Sequence, residues 1–189
     1  MSIGQCATLA CLLEASSPKP GNVHRGADFE DMTFTDFAVS AAAIAPAMDS
    51  AFQHGVGAAV LDAVQATRRF VPVNTNLGTV LLLAPLAAVP RPQRLKAGIR
   101  EVLRRLTARD AEAVYAAIRL AEPGGLGSAD QMDVADTAPE SLLAAMAAAA
   151  GRDLVARQYA EDFVHVLDHV VPWLVEGHAA GWPLTDAVV

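Results

Sequence analysis

"TFTDFAVSAAAIAPAMDSAFQH", residues 33–54, decides the fold class. Phe37, Ala41, Ile44, Met48 and Phe52 recur at spacings of three and four, which places them on one face of a helix. The stretch opens with Thr33 and Asp36, the spacing at which two side chains cap each other's backbone N–H groups. Both patterns recur. Val155, Tyr159, Phe163, Val166, Val170 and Leu174 share a helical period, and Thr107 with Asp110 repeats the capping spacing. No segment alternates at period two, and "FVPVNTN" (70–76) is short and broken by proline. The pattern predicts helices over 3–15, 34–53, 56–70, 78–89, 92–106, 108–121, 139–150, 152–169 and 173–180, with Pro172 ending or kinking the one before it. The expected fold class is all-α, a single bundle-like, multi-helix domain over residues 1–189.

Composition narrows the function classes. Of the 189 residues 53% are hydrophobic and 19% charged, which is enough apolar matter to build a core. Fourteen basic residues against 21 acidic ones leave a net charge of −7, so neither nucleic acid nor an anionic membrane is the expected partner. No charge occurs between Arg69 and Arg91, yet the uninterrupted apolar part, Leu77 to Val89, falls short of the ~20 residues a spanning helix needs. A buried helix is expected there. The N-terminus has no basic region of the kind a secretory signal carries. Cys6 and Cys11 stand roughly 140° apart on a helix. They read as unpaired small core residues of a cytoplasmic protein. Residues 91–109 carry half of the cations opposite Leu95, Ile99, Val102, Leu103 and Leu106, the pattern of an amphipathic surface helix.

Three breaks interrupt the helices, at 16–32, 71–77 and 122–138. All are rich in Gly, Pro, Asn or Asp, and they are expected to converge on one cleft. Just before the first, Glu14 falls by helical counting on the face of Ile3, Ala7 and Ala10. It is there either in an ion pair with Lys19 or Arg25 or as a carboxylate at a cleft wall. Within "SSPKPGNVHRGADFEDM" (16–32), Lys19 and Arg25 offer cations to phosphate and Gly21 permits a positive φ. The Walker spacing is absent, and a plain proline–glycine turn accounts for the same residues. Asp28 and Asp31 supply hard oxygens suited to Mg²⁺ or serve as helix caps. Asn74, Thr75 and Asn76 precede an apolar helix, where they cap it and its N–H groups make an anion site. After the helix that ends near 121 come Gly124, Gly125 and Gly127, a C-cap or a close backbone approach, and then Asp130, Asp133 and Asp136. His165 and His169 are four apart with no third ligand in a matching place, and read as a solvated flank.

Taken in order, Glu14, "SPKPGNVHR" (17–25), Asp28 and Asp31, "NTNLGTVLLLAPL" (74–86), "PGGLG" (123–127), Asp133-Val134 and "RDLVARQY" (152–159) resemble the triphosphoribosyl-dephospho-CoA synthase family along essentially the whole chain. The resemblance implies an all-helical transferase that moves the triphosphoribosyl group of ATP to a ribose hydroxyl of 3′-dephospho-CoA, with adenine displaced. The product is the precursor of the prosthetic group of citrate lyase or malonate decarboxylase acyl carrier proteins. Some relatives resemble enzymes of one-carbon, pterin-linked cofactor pathways, and a non-catalytic nucleotide-binding subunit is the third reading.

Such a reaction needs cations and Mg²⁺ on the phosphates, a carboxylate for the acceptor hydroxyl, and help for the departing adenine. The chemistry suggests Lys19 and Arg25 for phosphate, Asp28 and Asp31 for Mg²⁺, and Glu14 as the activating carboxylate with Asp133 the alternative. The nucleotide-binding set is Lys19, Gly21, Asn22, His24, Arg25, Asn74, Thr75, Asn76, Gly78, Gly124, Gly125 and Gly127. Members of the family continue past the point matching Val189. "GWPLTDAVV" (181–189), with Leu184, Ala187 and Val188 on one side, is therefore expected to belong to a shortened chain or to be covered by self-association into a homo-oligomer.

Overall fold

The structure is a computed structural model and describes residues 1–124 and 132–189. Helices α1 (Ile3–Ser16), α2 (Phe34–Ala43), α3 (Ala45–His54), α4 (Val56–Arg68), α5 (Leu77–Ala87), α6 (Leu95–Arg104) and α7 (Ala108–Ala121) come first. They are followed by α8 (Leu142–Ala149), α9 (Leu154–Ala160), a π-helical turn (Val166–Val170), α10 (Val171–Ala179) and α11 (Leu184–Ala187). Among the described residues no strand forms; His24 and Ala27 make one isolated antiparallel bridge. The all-α expectation holds.

The core is organised around α4, which buries Val56, Ala59, Val60, Ala63, Val64 and Thr67 and packs against α7, α3, α5 and α2. Its closest approach is to α7. A Cβ on Gly57 would lie 2.5 Å from the Asp110 Cα, so only glycine allows the two backbones to touch. Asp110 then fastens the contact. Its Oδ1 accepts from the Gly57 N–H at 2.8 Å, while Oδ2 accepts from the Thr107 N–H and hydroxyl at 2.8 Å each. The capping box read from the sequence is thus also an interhelical clamp. At Thr33–Asp36 the other box is present, with the Thr33 N–H and hydroxyl on Asp36 Oδ2 at 2.8 Å each.

Several predicted boundaries are corrected. The helix expected over 34–53 is two, broken at Ile44, because Pro46 has no N–H for the Ala42 carbonyl and its ring crowds that turn. The helix expected from 92 starts at Leu95, and Leu95 itself is exposed. The one expected from 139 starts at Leu142, where the Ser141 hydroxyl accepts from the Ala144 N–H at 3.2 Å. The helix expected over 152–169 ends at Ala160: Asp162 and Phe163 take positive φ, and the Phe163 N–H reaches back to the Gln158 carbonyl at 2.8 Å. Pro172 does not end a helix. The turn before it widens so that the Val171 N–H donates to the Val166 carbonyl, and α10 continues through the proline.

On α1 the buried face is Gly4, Ala7 and Ala15, with Cys11 partly covered, while Ala10 and Glu14 are exposed. The placement of Glu14 on the apolar face is therefore corrected. Cys6 is also exposed rather than in the core. Burial, reinforced by the charge of Glu14, pushes the Cys11 thiol up to about 11. The rings of His165, His169 and Trp173, tilted or edge-on to one another with centroids 5.7–6.2 Å apart, lie on the outer side, as a solvated flank requires.

Helix α5 is apolar nearly throughout and carries Pro85 in its interior. The proline leaves the Leu81 carbonyl without its intrahelical donor. Tyr159, on α9, supplies it. Its hydroxyl, fully enclosed, donates to Leu81 O at 2.6 Å. Burial, and then the charge of Asp110, hold that hydroxyl far above the usual tyrosine range, so it stays a donor.

Two predictions follow from this packing. Replacing Tyr159 with Phe strands a buried carbonyl and should cost about 1–3 kcal/mol in denaturant unfolding. Alkylation of the folded chain at pH 8 should modify Cys6 first and Cys11 only slowly, since the thiolate is the nucleophile; peptide mapping reads the order.

Candidate functional site

The first motif is built as a turn. Pro20 and Gly21 occupy its centre, Gly21 at φ 77°, and the Asn22 N–H closes it on the Lys19 carbonyl at 3.2 Å. This is the type II geometry, for which proline then glycine is the fitting pair. Lys19 does not reach outward. Its ammonium sits 2.7 Å from Glu14 Oε1, so the structure forms the ion pair that the sequence offered as one alternative. His24 ties the following loop: it exchanges backbone hydrogen bonds with Ala27, and its Nδ1 accepts from the Gly26 N–H at 3.1 Å. Asn22 and Arg25 are exposed.

Asp28 Oδ1 accepts from the Phe34 N–H at 2.7 Å, which satisfies a first-turn donor of α2 and leaves Oδ2 unused by that bond. Asp31 is exposed. Among the described residues no group of three or more His, Cys, Asp or Glu is arranged to hold a metal by itself. Mg²⁺ in nucleotide sites is held by one or two carboxylates together with substrate phosphates, and a pair such as Asp28 and Asp31 fits that mode.

The second motif caps α5. Asn74 Oδ1 accepts from the Leu77 N–H at 3.1 Å, and the Asn76 amide donates to the buried Thr67 hydroxyl at 3.1 Å. Each amide thereby spends one end on structure. Asn74 keeps its two N–H donors and Asn76 keeps its carbonyl oxygen. Thr75 shares a 2.6 Å hydrogen bond with Ser40 on α2, so this loop is joined to the helix that Asp28 caps.

Gly78 leads into a cavity of about 410 Å³ between α5, α7, α8 and the start of α9. Leu77, Leu81, Ile118, Leu142, Met146 and Val155 give it apolar walls, and Tyr115, Asp133, Arg152 and Asp153 bring its polar groups. Gly124 lines it as well; Gly125, Gly127 and Asp130 lie outside the described residues. The Tyr115 hydroxyl donates to the Met132 carbonyl at 2.8 Å and so holds the 132–134 segment at the cavity. Burial, then the charge of Asp133, raises the Tyr115 hydroxyl above its ordinary value. Asp133 Oδ1 accepts from the Ala135 N–H at 2.8 Å.

The expected convergence of the three breaks on one cleft is therefore corrected. Pro123, Gly124, Met132, Asp133 and Val134 of 122–138 line the cavity, but of 71–77 only Leu77 does; Asn74, Thr75 and Asn76 do not, and no residue of 16–32 lines it. The 16–32 loop is linked to the 74–76 loop through α2 and the Ser40–Thr75 bond, and through α1, which packs on α5. A second cavity, of about 530 Å³ between α3, α4, α6 and α7, contains none of the candidate residues. Tyr115, Arg152 and Asp153 were not among the candidates. The last two begin "RDLVARQY", so the motif itself pointed to them.

Compared with known protein families, the chain matches the family model described as CitG, ATP:dephospho-CoA triphosphoribosyl transferase, over residues 1–189. No curated protein and no solved structure matches it.

The geometry separates the two aspartates of the first loop. Asp28→Ala should cost about 1 kcal/mol by removing the acceptor of the Phe34 N–H, although the Thr33–Asp36 box still caps α2. Asp28→Asn, which keeps the acceptor, and Asp31→Ala should both stay within about 0.5 kcal/mol. Thermal denaturation of the three variants measures the difference.

Proposed function

The chain belongs to the ATP:dephospho-CoA triphosphoribosyl transferase family, and we propose that it moves the triphosphoribosyl group of ATP to a ribose hydroxyl of 3′-dephospho-CoA with release of adenine. The family match over the full 189 residues carries this reading. The layout of the motifs supports it. From Phe34, bonded to Asp28, to Ser40, bonded to Thr75, is six residues of α2, roughly 9 Å at 1.5 Å per residue. The loop that carries Lys19, Arg25, Asp28 and Asp31 and the loop that carries Asn74 and Asn76 are therefore spaced for two ends of one extended substrate.

On this reading Lys19 and Arg25 take the triphosphate, and Asp28 and Asp31 hold Mg²⁺ against it. When bound with the nucleotide, Mg²⁺ would neutralise phosphate charge. The remaining N–H groups of Asn74 and carbonyl of Asn76 orient the ribose. Glu14 takes the proton of the acceptor hydroxyl, with Asp133 the second candidate. The new bond joins the acceptor oxygen to the ribose anomeric carbon, the carbon–nitrogen bond to adenine breaks, and the proton removed from the acceptor ends on adenine.

The Glu14–Lys19 pair gives this step an order. While Lys19 sits 2.7 Å away it occupies Glu14 Oε1. A triphosphate that draws Lys19 away would free that oxygen to come within hydrogen-bond reach of the acceptor hydroxyl.

Incubation with ATP, Mg²⁺ and dephospho-CoA should release free adenine, read by chromatography, in amounts equal to the coupled product. Adenine release without dephospho-CoA would indicate a hydrolase, and no release would defeat the transferase reading. Glu14→Gln should lower kcat on the order of 10²–10⁴-fold. A rate unchanged by that substitution, but lost in Asp133→Asn, would move the base to Asp133.

A further inference from the structure

The cavity of about 410 Å³ has walls too apolar and a charge too unfavourable to serve as another phosphate site: Asp133 and Asp153 line it against a single cation, Arg152. The guanidinium of Arg152 has no hydrogen-bond or ion-pair partner among the described residues. Arg152 and Asp153 are exposed, and Arg25, Arg69, Arg94 and Arg109 likewise form no ion pair among the described residues, so what sets Arg152 apart is its place on the cavity lining. Asp153 is committed at one oxygen, Oδ1, which accepts from the Val155 and Ala156 N–H groups at 2.7 and 3.0 Å and leaves Oδ2 over. An apolar slot with the remaining carboxylate oxygen of Asp153 and one planar cation matches a neutral, flat heterocycle that carries an amino group. Its faces pack on the aliphatic side chains, its ring nitrogens accept from the guanidinium, and its amine donates to the carboxylate.

The position agrees with this chemistry. The cavity begins at Leu77 and Gly78, directly after Asn76. A nucleotide with its triphosphate at 19–31 and its ribose at 74–76 would reach the cavity with its base. Resting on the reading above, we propose that this cavity is the adenine pocket and that Arg152 assists adenine as the leaving group. As the bond between the anomeric carbon and the adenine nitrogen breaks, the electron pair goes to the purine. The N–H groups of Arg152 donate to ring nitrogens and stabilise that charge without giving up a proton. The purine acquires the proton lost by the acceptor hydroxyl. This supplies the help for departing adenine to which the motifs alone assigned no residue.

Two substitutions test the pocket without any need for turnover. Ala145, on the cavity wall, changed to Trp fills it, and Arg152→Ala removes the cation. Calorimetry on the full chain should show free adenine binding to the unaltered protein, no binding to Ala145→Trp, and about ten- to hundredfold weaker binding to Arg152→Ala. Inorganic tripolyphosphate with Mg²⁺ should bind all three alike, which also shows that the variants are folded. Equal adenine affinity in the three proteins, or none in the unaltered one, overturns the pocket.

In the transfer assay Arg152→Ala should lower kcat by about 10²–10³-fold with the KM for dephospho-CoA unchanged, and Arg152→Lys should restore part of it. A raised KM for dephospho-CoA with kcat intact would instead place the acceptor in the cavity and overturn the assignment. If adenine binding responds as expected but no variant, nor the parent, transfers triphosphoribose, the pocket stands and the transferase reading falls.

Discussion

The hydrogen bond from Tyr159 to the Leu81 carbonyl is the constraint on which the functional end of the molecule depends. Helix α5 is too apolar to lie anywhere but in the core, and Pro85 deprives it of one internal bond there. A buried carbonyl without a donor costs on the order of 1–3 kcal/mol, a large share of a small domain's stability. Tyr159 removes that cost by bringing α9 against α5. Once α9 is docked, Arg152 and Asp153, two turns earlier, are delivered beside Leu77 and Gly78 at the first turn of α5. One motif, "RDLVARQY", therefore both repairs the helix with its last residue and equips the cavity with its first two. The two tasks are coupled through a rigid element, which is how a site gains precision from the scaffold beneath it.

Sequence patterning disclosed the fold class because its evidence is local. Capping at Thr33–Asp36 and Thr107–Asp110, the turn at Pro20–Gly21 and the buried character of 77–87 all depend on neighbours in sequence. What eluded it depends on contacts across the fold. The face of α1 was misplaced because apolar residues, Leu9, Leu12 and Leu13 as well as the alanines, surround the helix; it is the close packing at Gly4, together with Ala7 and Ala15, that decides which side is buried. Pro172 was expected to end or kink the helix before it; it does not end it, because a wider turn upstream accommodates the ring. The break at 161–163 has no glycine or proline to announce it. Asp162 and Phe163 accept positive φ there, with Phe163 completely buried and Gln158 holding both the Phe163 and Val166 N–H groups. Of the site, the residue types were legible, whereas their partition was not. Nothing in the spacing tells that Leu77 and Gly78 share a cavity with Pro123, Gly124 and Met132 to Val134, from which 16–32 is excluded.

That partition makes electrostatic sense for a chain with a net charge of −7 that is proposed to take two polyanionic substrates. Phosphate is admitted only where local cations outweigh the general field. The first loop concentrates Lys19 and Arg25 but follows them with Asp28, Glu30 and Asp31, so an anion gains little there unless a divalent cation offsets the acids. The cavity, whose described lining residues set two carboxylates against one guanidinium, gives phosphate no such opportunity and is the proposed place for a neutral ring. On the proposed reading, base and phosphates are thereby sorted to opposite ends of the 74–76 turn by charge. The scissile carbon–nitrogen bond would then have a largely apolar compartment on its leaving side and a charged, exposed one on its phosphate side. Arg152, itself exposed, would act from the edge of the first, where apolar walls leave developing charge less well screened than in open water.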